Sequence, residues 1–244
     1  MAPRDRLPLL QLVPNLVTIL GMCAGLSAIR FTFDERFELA AALIIFAAIM
    51  DGFDGMLARK LNAASSFGAE LDSFADFVSF GVAPGFLVFG YALSGPMAGA
   101  GWIFVLIFAV CGCLRLARFN ISRAAPDEAP ARHFVGVPAP AGAMLGLLPV
   151  FLGLSELVDP TRAPVLVALY LAGVGLLMVS RLPTPSIKGV RIARENAVWV
   201  LVGMSAFAGL LVMRTWATLV VADLIYLGVL AYLALRAPAP RSRE

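Results

Sequence analysis

The sequence predicts an all-α integral membrane protein, a polytopic bundle of about eight transmembrane helices with both termini in the cytoplasm. Three observations carry this. The 244 residues are 60% hydrophobic and only 14% charged, whereas soluble domains carry about a quarter charged residues. The apolar residues fall in eight continuous runs near the length that a bilayer core demands. The basic residues are distributed unevenly between the connections.

The runs lie at about 14–32, 37–58, 72–93, 98–118, 138–155, 163–181, 197–213 and 215–235. None alternates with period two, so a strand barrel is not expected. The first run follows Arg4 and Arg6 and superficially resembles a secretory leader. Pro14-Asn15 interrupts any short leader core, and the run is long enough to span, so it reads as a retained helix. Only Arg214 separates the last two runs, which implies a hairpin with a very tight turn.

Placing the N-terminus inside puts Arg4, Arg6, Arg59, Lys60, Arg115, Arg118, Arg123, Arg132, Arg181, Lys188, Arg191, Arg194, Arg236, Arg241 and Arg243 in the cytoplasm. Arg30, Arg36, Arg162 and Arg214 remain outside, 15 against 4 of the 19 basic residues. The expected location is the cell (inner) membrane, multi-pass, with polar chemistry at the cytoplasmic face. Residues 1–236 read as a single membrane domain, and 237–244 as a basic, Pro-rich tail beside anionic lipid. Cys23, Cys111 and Cys113 lie in apolar runs and read as small buried hydrophobes, without the partners of a zinc site. No basic patch interleaved with aromatics points to nucleic acid.

Against this background four acids stand out: Asp51, Asp54, Asp72 and Asp76. Asp51 and Asp54 are three apart, and Asp72 and Asp76 four apart, so each pair shares a helix face. Two helices in a hairpin would aim all four carboxylates at one point. Unpaired, such charges repel and force protonation. Divalent cations remove the conflict, and hard oxygen donors suit Mg²⁺ or Mn²⁺. Acids pairing with Arg59 and Lys60 are the plainer alternative, but intramembrane acids are rare and generally functional.

The run Asp51-Gly52-Phe53-Asp54-Gly55-Met56-Leu57-Ala58-Arg59, then eight residues, then Gly68, Asp72 and Asp76, resembles the signature of the CDP-alcohol phosphatidyltransferases. The match is without a gap. The resemblance implies displacement of CMP from a CDP-linked lipid by an alcohol, with two divalent ions, Mg²⁺ or Mn²⁺, on the pyrophosphate. It implies metal binding by Asp51, Asp54, Asp72 and Asp76, and a general-base role for Asp76. Gly52, Gly55, Ala58 and Arg59 match the positions that cradle the CDP moiety, and Gly68 permits close packing at the nucleotide. A homodimer is expected from the family alone. Asn15 and Thr18 share a face of the first helix; they either hydrogen-bond the nucleotide or join helices as a polar pair.

Three further segments are similar to the phosphatidylserine synthase branch of that family: residues 72–84, Cys111 to Asn120, and Phe134 to Gly142. The resemblance covers roughly residues 12–145; the last helices match only in hydropathy. It implies CDP-diacylglycerol and L-serine as substrates. Arg115 and Arg118 share a helix face and are suited to gripping the serine carboxylate in a fork, with Ser79 and Asn120 orienting the amino acid. Positive-inside anchoring is the alternative for both arginines. Glycerol 3-phosphate, an inositol compound or choline are the competing acceptors. A cation-coupled transporter is the competing class, although its site belongs near the bilayer midplane in broken helices. His133, the only histidine, lies in a polar loop and reads as solvated. Asp223 is costly inside the eighth run and is expected at a helix interface or against a dimer partner. Gly21-x-x-x-Gly25 reads as a close helix contact.

Overall fold

A computed structural model of the chain describes residues 12–63, 65–124, 134–180, 183–184 and 196–236. Arg4, Arg6, Arg132, His133, Arg181, Lys188, Arg191, Arg194, Arg241, Arg243 and the 237–244 tail lie outside them, as does the side chain of Arg123. The described residues form eight principal helices: α1 (Val13–Phe33), α2 (Phe37–Lys60), α3 (Ser66–Leu93), α4 (Ala98–Ala124), α5 (Ala139–Leu154), α6 (Pro164–Val179), α7 (Ala197–Met213) and α8 (Thr215–Arg236). The strands β1 (Phe134–Val135) and β2 (Pro183–Thr184) form one short antiparallel pair.

Five helices, α1, α2, α3, α4 and α8, are long and apolar enough to cross a membrane. The apolar helices Ala139–Leu154, Pro164–Val179 and Val198–Met213 are shorter. Sixteen residues rise only about 24 Å, short of the ~30 Å hydrocarbon core.

Local chemistry explains where the helices begin and end. Pro14 lies in the first turn of α1, where its missing N–H costs nothing. α1 ends in a tight turn at Asp34 and Glu35, the latter in left-handed backbone (φ 59°). Asn62 (φ 48°) closes α2, and the Ala63 N–H donates to the Ala58 carbonyl at 3.0 Å. Ser65 then caps α3, its Oγ accepting from the Gly68 N–H at 3.0 Å. That cap starts α3 at Ser66, six residues before the apolar run expected from 72. Asp72 therefore sits well inside the helix and not at its mouth. α4 likewise continues to Ala124, beyond the expected 118, and carries Asn120 on a helix.

One wide π-helical stretch interrupts α3 at Phe77–Val82, and a second ends it at Phe89–Leu93. The first ends two residues before Pro84, which donates no N–H and crowds the Phe80 carbonyl within it. The widened turn that accommodates that ring begins just after Asp76.

The core lies where α3, α4, α5 and α6 meet, filled by Leu87, Phe108, Leu145, Phe151, Leu171 and Met178. α1 packs along α2 and against α3, α4 against α6, and α5 against α8. Gly25 permits a close helix approach: a Cβ there would lie 2.9 Å from the Ser79 Cα. Gly21, by contrast, has room for one, at 3.4 Å from the Met50 Cβ. The outer faces are apolar, as bilayer contact requires: Leu16, Ile103, Leu166 and Trp199 are exposed. For the same reason an apolar run does not imply burial. Cys111 is buried, but Cys23 and Cys113 are exposed, which corrects the expectation that all three are buried.

Candidate active site

The site is built where the C-terminal half of α2 and the first turns of α3 come together beside α1. Oxygens of Asp51, Asp72 and Asp76, all half-buried, lie within 4.8 Å of one another. Asp54 points elsewhere on the same wall. It is only 6% exposed, and the Thr18 hydroxyl of α1 donates to its Oδ2 at 2.6 Å. The expected quartet thus divides into a triad and a fourth acid held by α1, although Asp54 shares one narrow cavity with the triad.

Three carboxylates this close repel unless a cation lies among them. Among the described residues, neither Asp51 nor Asp76 has a salt bridge; the ion pairs found are Arg30 with Asp34 and Arg162 with Asp159. The donor set is all oxygen, hard and anionic, which fits Mg²⁺ or Mn²⁺ and not a soft metal. The Arg115 guanidinium of α4 acts electrostatically on Asp76 and Asp51. Its Nε is buried with no hydrogen-bond partner among the described residues.

Next to the triad opens a cleft of about 160 Å³. Asn15 and Thr18 of α1, Asp54, Gly55, Ala58 and Arg59 of α2, and Ser65, Gly68 and Asp72 line it. The N-terminus of α3 thus borders it alongside Arg59, and a helix N-terminus and a guanidinium both favour phosphate. Gly68 holds the cleft's geometry: a Cβ there would sit 2.8 Å from the Asn15 Oδ1 and 3.1 Å from the Ser65 Oγ. Six of the seven residues matched to CDP contacts line this one cleft. Gly52 does not, and a Cβ on it would meet nothing within 4 Å.

The four residues assigned to the acceptor take different positions. Arg115 faces the acids. Arg118, one turn on, is turned away, with its Nη1 donating to the Val179 carbonyl at the C-terminus of α6 (2.8 Å). The two arginines do not form a fork in this arrangement. Asn120 exchanges hydrogen bonds with Ser73, its Nδ2 lying 2.9 Å from the Ser73 Oγ, which ties α4 to α3 between Asp72 and Asp76. Ser79 borders the acid cavity while its hydroxyl donates to the Gly21 carbonyl at 3.3 Å.

Sequence reasoning missed Ser65, Ser73 and Tyr226. Ser65 carried a signal, a serine three residues before Gly68 at a helix start. Ser73 lies inside the acid motif but has no distinguishing spacing. Tyr226 of α8 lies near Arg115, a proximity across the fold that the sequence does not reveal. Asp223 is buried, as an interface position requires, 7% exposed and near Tyr170 of α6; its Oδ2 has no hydrogen-bond partner among the described residues.

The sequence model of the CDP-alcohol phosphatidyltransferases matches residues 11–242. The chain is similar to the CDP-diacylglycerol–serine O-phosphatidyltransferase of Mycobacterium leprae, 37% identical over 230 residues, covering 92% of this chain and 75% of that one. It is also 37% identical to the enzyme of the same name from Bacillus subtilis over 184 residues, covering 75% of this chain and 94% of that one. The Helicobacter pylori enzyme of that name is 34% identical over 196 residues, covering 80% and 81%. With the acid triad, the adjoining cleft and these relatives in view, the chain belongs to the CDP-alcohol phosphatidyltransferase family.

Proposed function

We propose that this protein transfers the phosphatidyl group of CDP-diacylglycerol to L-serine, giving phosphatidylserine and CMP. The observation that carries the chemistry is the triad of carboxylates within 4.8 Å directly beside a phosphate-suited cleft. The serine acceptor is supported by the relatives, which bear that activity in their names.

In this reading the cleft takes the cytidine diphosphate. Asn15 and Thr18 contact the nucleotide, and Gly55, Ala58 and Gly68 admit it close to the backbone. Arg59 and the α3 N-terminus hold the pyrophosphate. Asp51, Asp54, Asp72 and Asp76 would hold two divalent ions, Mg²⁺ or Mn²⁺, which supply charge neutralisation on the phosphates when bound. The serine hydroxyl attacks the phosphatidyl phosphorus as Asp76 accepts its proton. A bond forms from the serine oxygen to phosphorus, and the bond from that phosphorus to the CMP oxygen breaks. Arg115 binds the serine carboxylate beside Asp76, while Asn120, clasped to Ser73, and Ser79 hold α3 in position. Gly52 contributes by exposing the α2 backbone next to Asp51.

The same reading keeps eight spans in the cell membrane, the bilayer thinning locally around the shorter α5, α6 and α7, with the acids and both termini at the cytoplasmic face and a homodimer in the bilayer. Residues 1–236 act as one catalytic membrane domain, followed by a basic tail. The test is an incubation of the purified protein with labelled CDP-diacylglycerol and a panel of alcohols. L-Serine is expected to be the best acceptor, with CMP released in equal amount. Preference for glycerol 3-phosphate would overturn the acceptor and leave the acid-site chemistry standing.

A further inference from the structure

Outside the site, α7 is distinctive. α8 is the helix on which it packs, and its residues are exposed on nearly every side, Trp199 and Leu210 among them. Between α7 and α8 runs an apolar groove of about 730 Å³. Arg214 stands at one end of it and Val229 at the other. Fifteen residues of helix separate them, about 22 Å. That exceeds the ~15 Å half-thickness of a bilayer core. The groove therefore accommodates an acyl chain reaching in from one leaflet along its whole depth.

Arg214 decides which leaflet and which headgroup. Its guanidinium has no acidic or hydrogen-bonding partner among the described residues, and it sits in the turn between two apolar helices. Tyr226, the α8 residue near Arg115, lies twelve residues further along, about 18 Å away. In the eight-span reading proposed above, the turn between α7 and α8 lies on the face opposite the acids, and Arg214 with it. A lone guanidinium at a lipid-filled groove mouth favours a phosphate bearing a net negative charge over a zwitterionic headgroup, whose own ammonium offsets the attraction.

We infer that the α7–α8 groove is a binding site for one anionic phospholipid from the leaflet opposite the active site, its tail along the groove and its headgroup phosphate on Arg214.

Native mass spectrometry of the full chain, delipidated in mild detergent and titrated with phosphatidylglycerol or phosphatidylcholine, tests this. The expected result is one tightly retained phosphatidylglycerol, preferred over phosphatidylcholine about tenfold, or 1.4 kcal/mol. Arg214→Gln abolishes the preference and Arg214→Lys restores most of it. Ala222→Phe, which fills the groove, removes the retained lipid of either kind. Equal retention of both lipids by the unaltered chain, or an unchanged preference in Arg214→Gln, overturns the proposal. So does retention in Ala222→Phe. A disulfide between two copies through Ile225→Cys in the membrane would put a second copy in the groove and overturn it equally. Transfer from CDP-diacylglycerol to serine, assayed on the same variants, reports on the active site independently.

Discussion

Arg115 and Arg118 are one helical turn apart, yet the structure gives them separate roles, and that difference is measurable. The perturbation is leucine at each position, which keeps the aliphatic stem and removes the charge. Arg115 faces Asp51 and Asp76, and its Nε has no partner within the described residues, so it is available to an acceptor carboxylate. Losing a charge-assisted hydrogen bond to a desolvated carboxylate costs about 1.5–3 kcal/mol, or roughly 10- to 150-fold in kcat/KM for serine. Arg118 instead donates to the Val179 carbonyl at an exposed helix end. Its loss costs about 0.3–1 kcal/mol of stability and leaves kcat/KM for serine within about threefold. The assay is steady-state CMP release with serine and, separately, CDP-diacylglycerol varied, and with serinol as an acceptor lacking the carboxylate. Serinol should be poor with the unaltered protein and lose little more in Arg115→Leu, because the interaction removed was never made. Equal damage from both leucine variants would refute the divergence of the two side chains. An undiminished serine kcat/KM in Arg115→Leu would remove that residue from the acceptor site.

Four further outcomes are expected. EDTA should abolish transfer and Mg²⁺ or Mn²⁺ restore it, and Asn at Asp51, Asp72 or Asp76 should leave little turnover in a protein that still inserts; full activity in EDTA would remove the metal reading. Thr18→Val deprives buried Asp54 of its 2.6 Å donor, at about 1–3 kcal/mol, and should weaken CDP-diacylglycerol more than serine, which separate KM measurements resolve. Gly68→Ala forces Asn15 or the Ser65 cap to move; the CDP-lipid KM should rise about tenfold, 1.4 kcal/mol, with the serine KM little changed. Introduced thiols at Ala63 and Gly99 should label from opposite sides of the membrane, Ala63 from the cytoplasm, and labelling of Ala63 from outside would invert the topology.

The sequence by itself determined the class of the protein and the chemistry of its centre. Its apolar runs could satisfy their backbone only as helices in lipid, and the regular spacing of Asp51, Asp54, Asp72 and Asp76 leaves few arrangements other than two facing helix pairs. The cleft proposed for the nucleotide was nearly as legible, because Gly55, Ala58, Arg59 and Gly68 lie within one hairpin, and residues close along a chain stay close when it folds. Helix ends were less so. Hydropathy registers the apolar stretch of α3 but not the polar turns that the Ser65 cap adds before it, nor the π-turns that accommodate Pro84. The tertiary structure alone decided where individual side chains on one face point. Periodicity places Asp54 with its fellow acids and Arg118 with Arg115, but the partners that divert them, Thr18 on α1 and the free carbonyl at the end of α6, come from 36 and 61 residues away. Such partners are set by how helices pack, and packing depends on contacts such as Gly25 against Ser79 that no local spacing encodes.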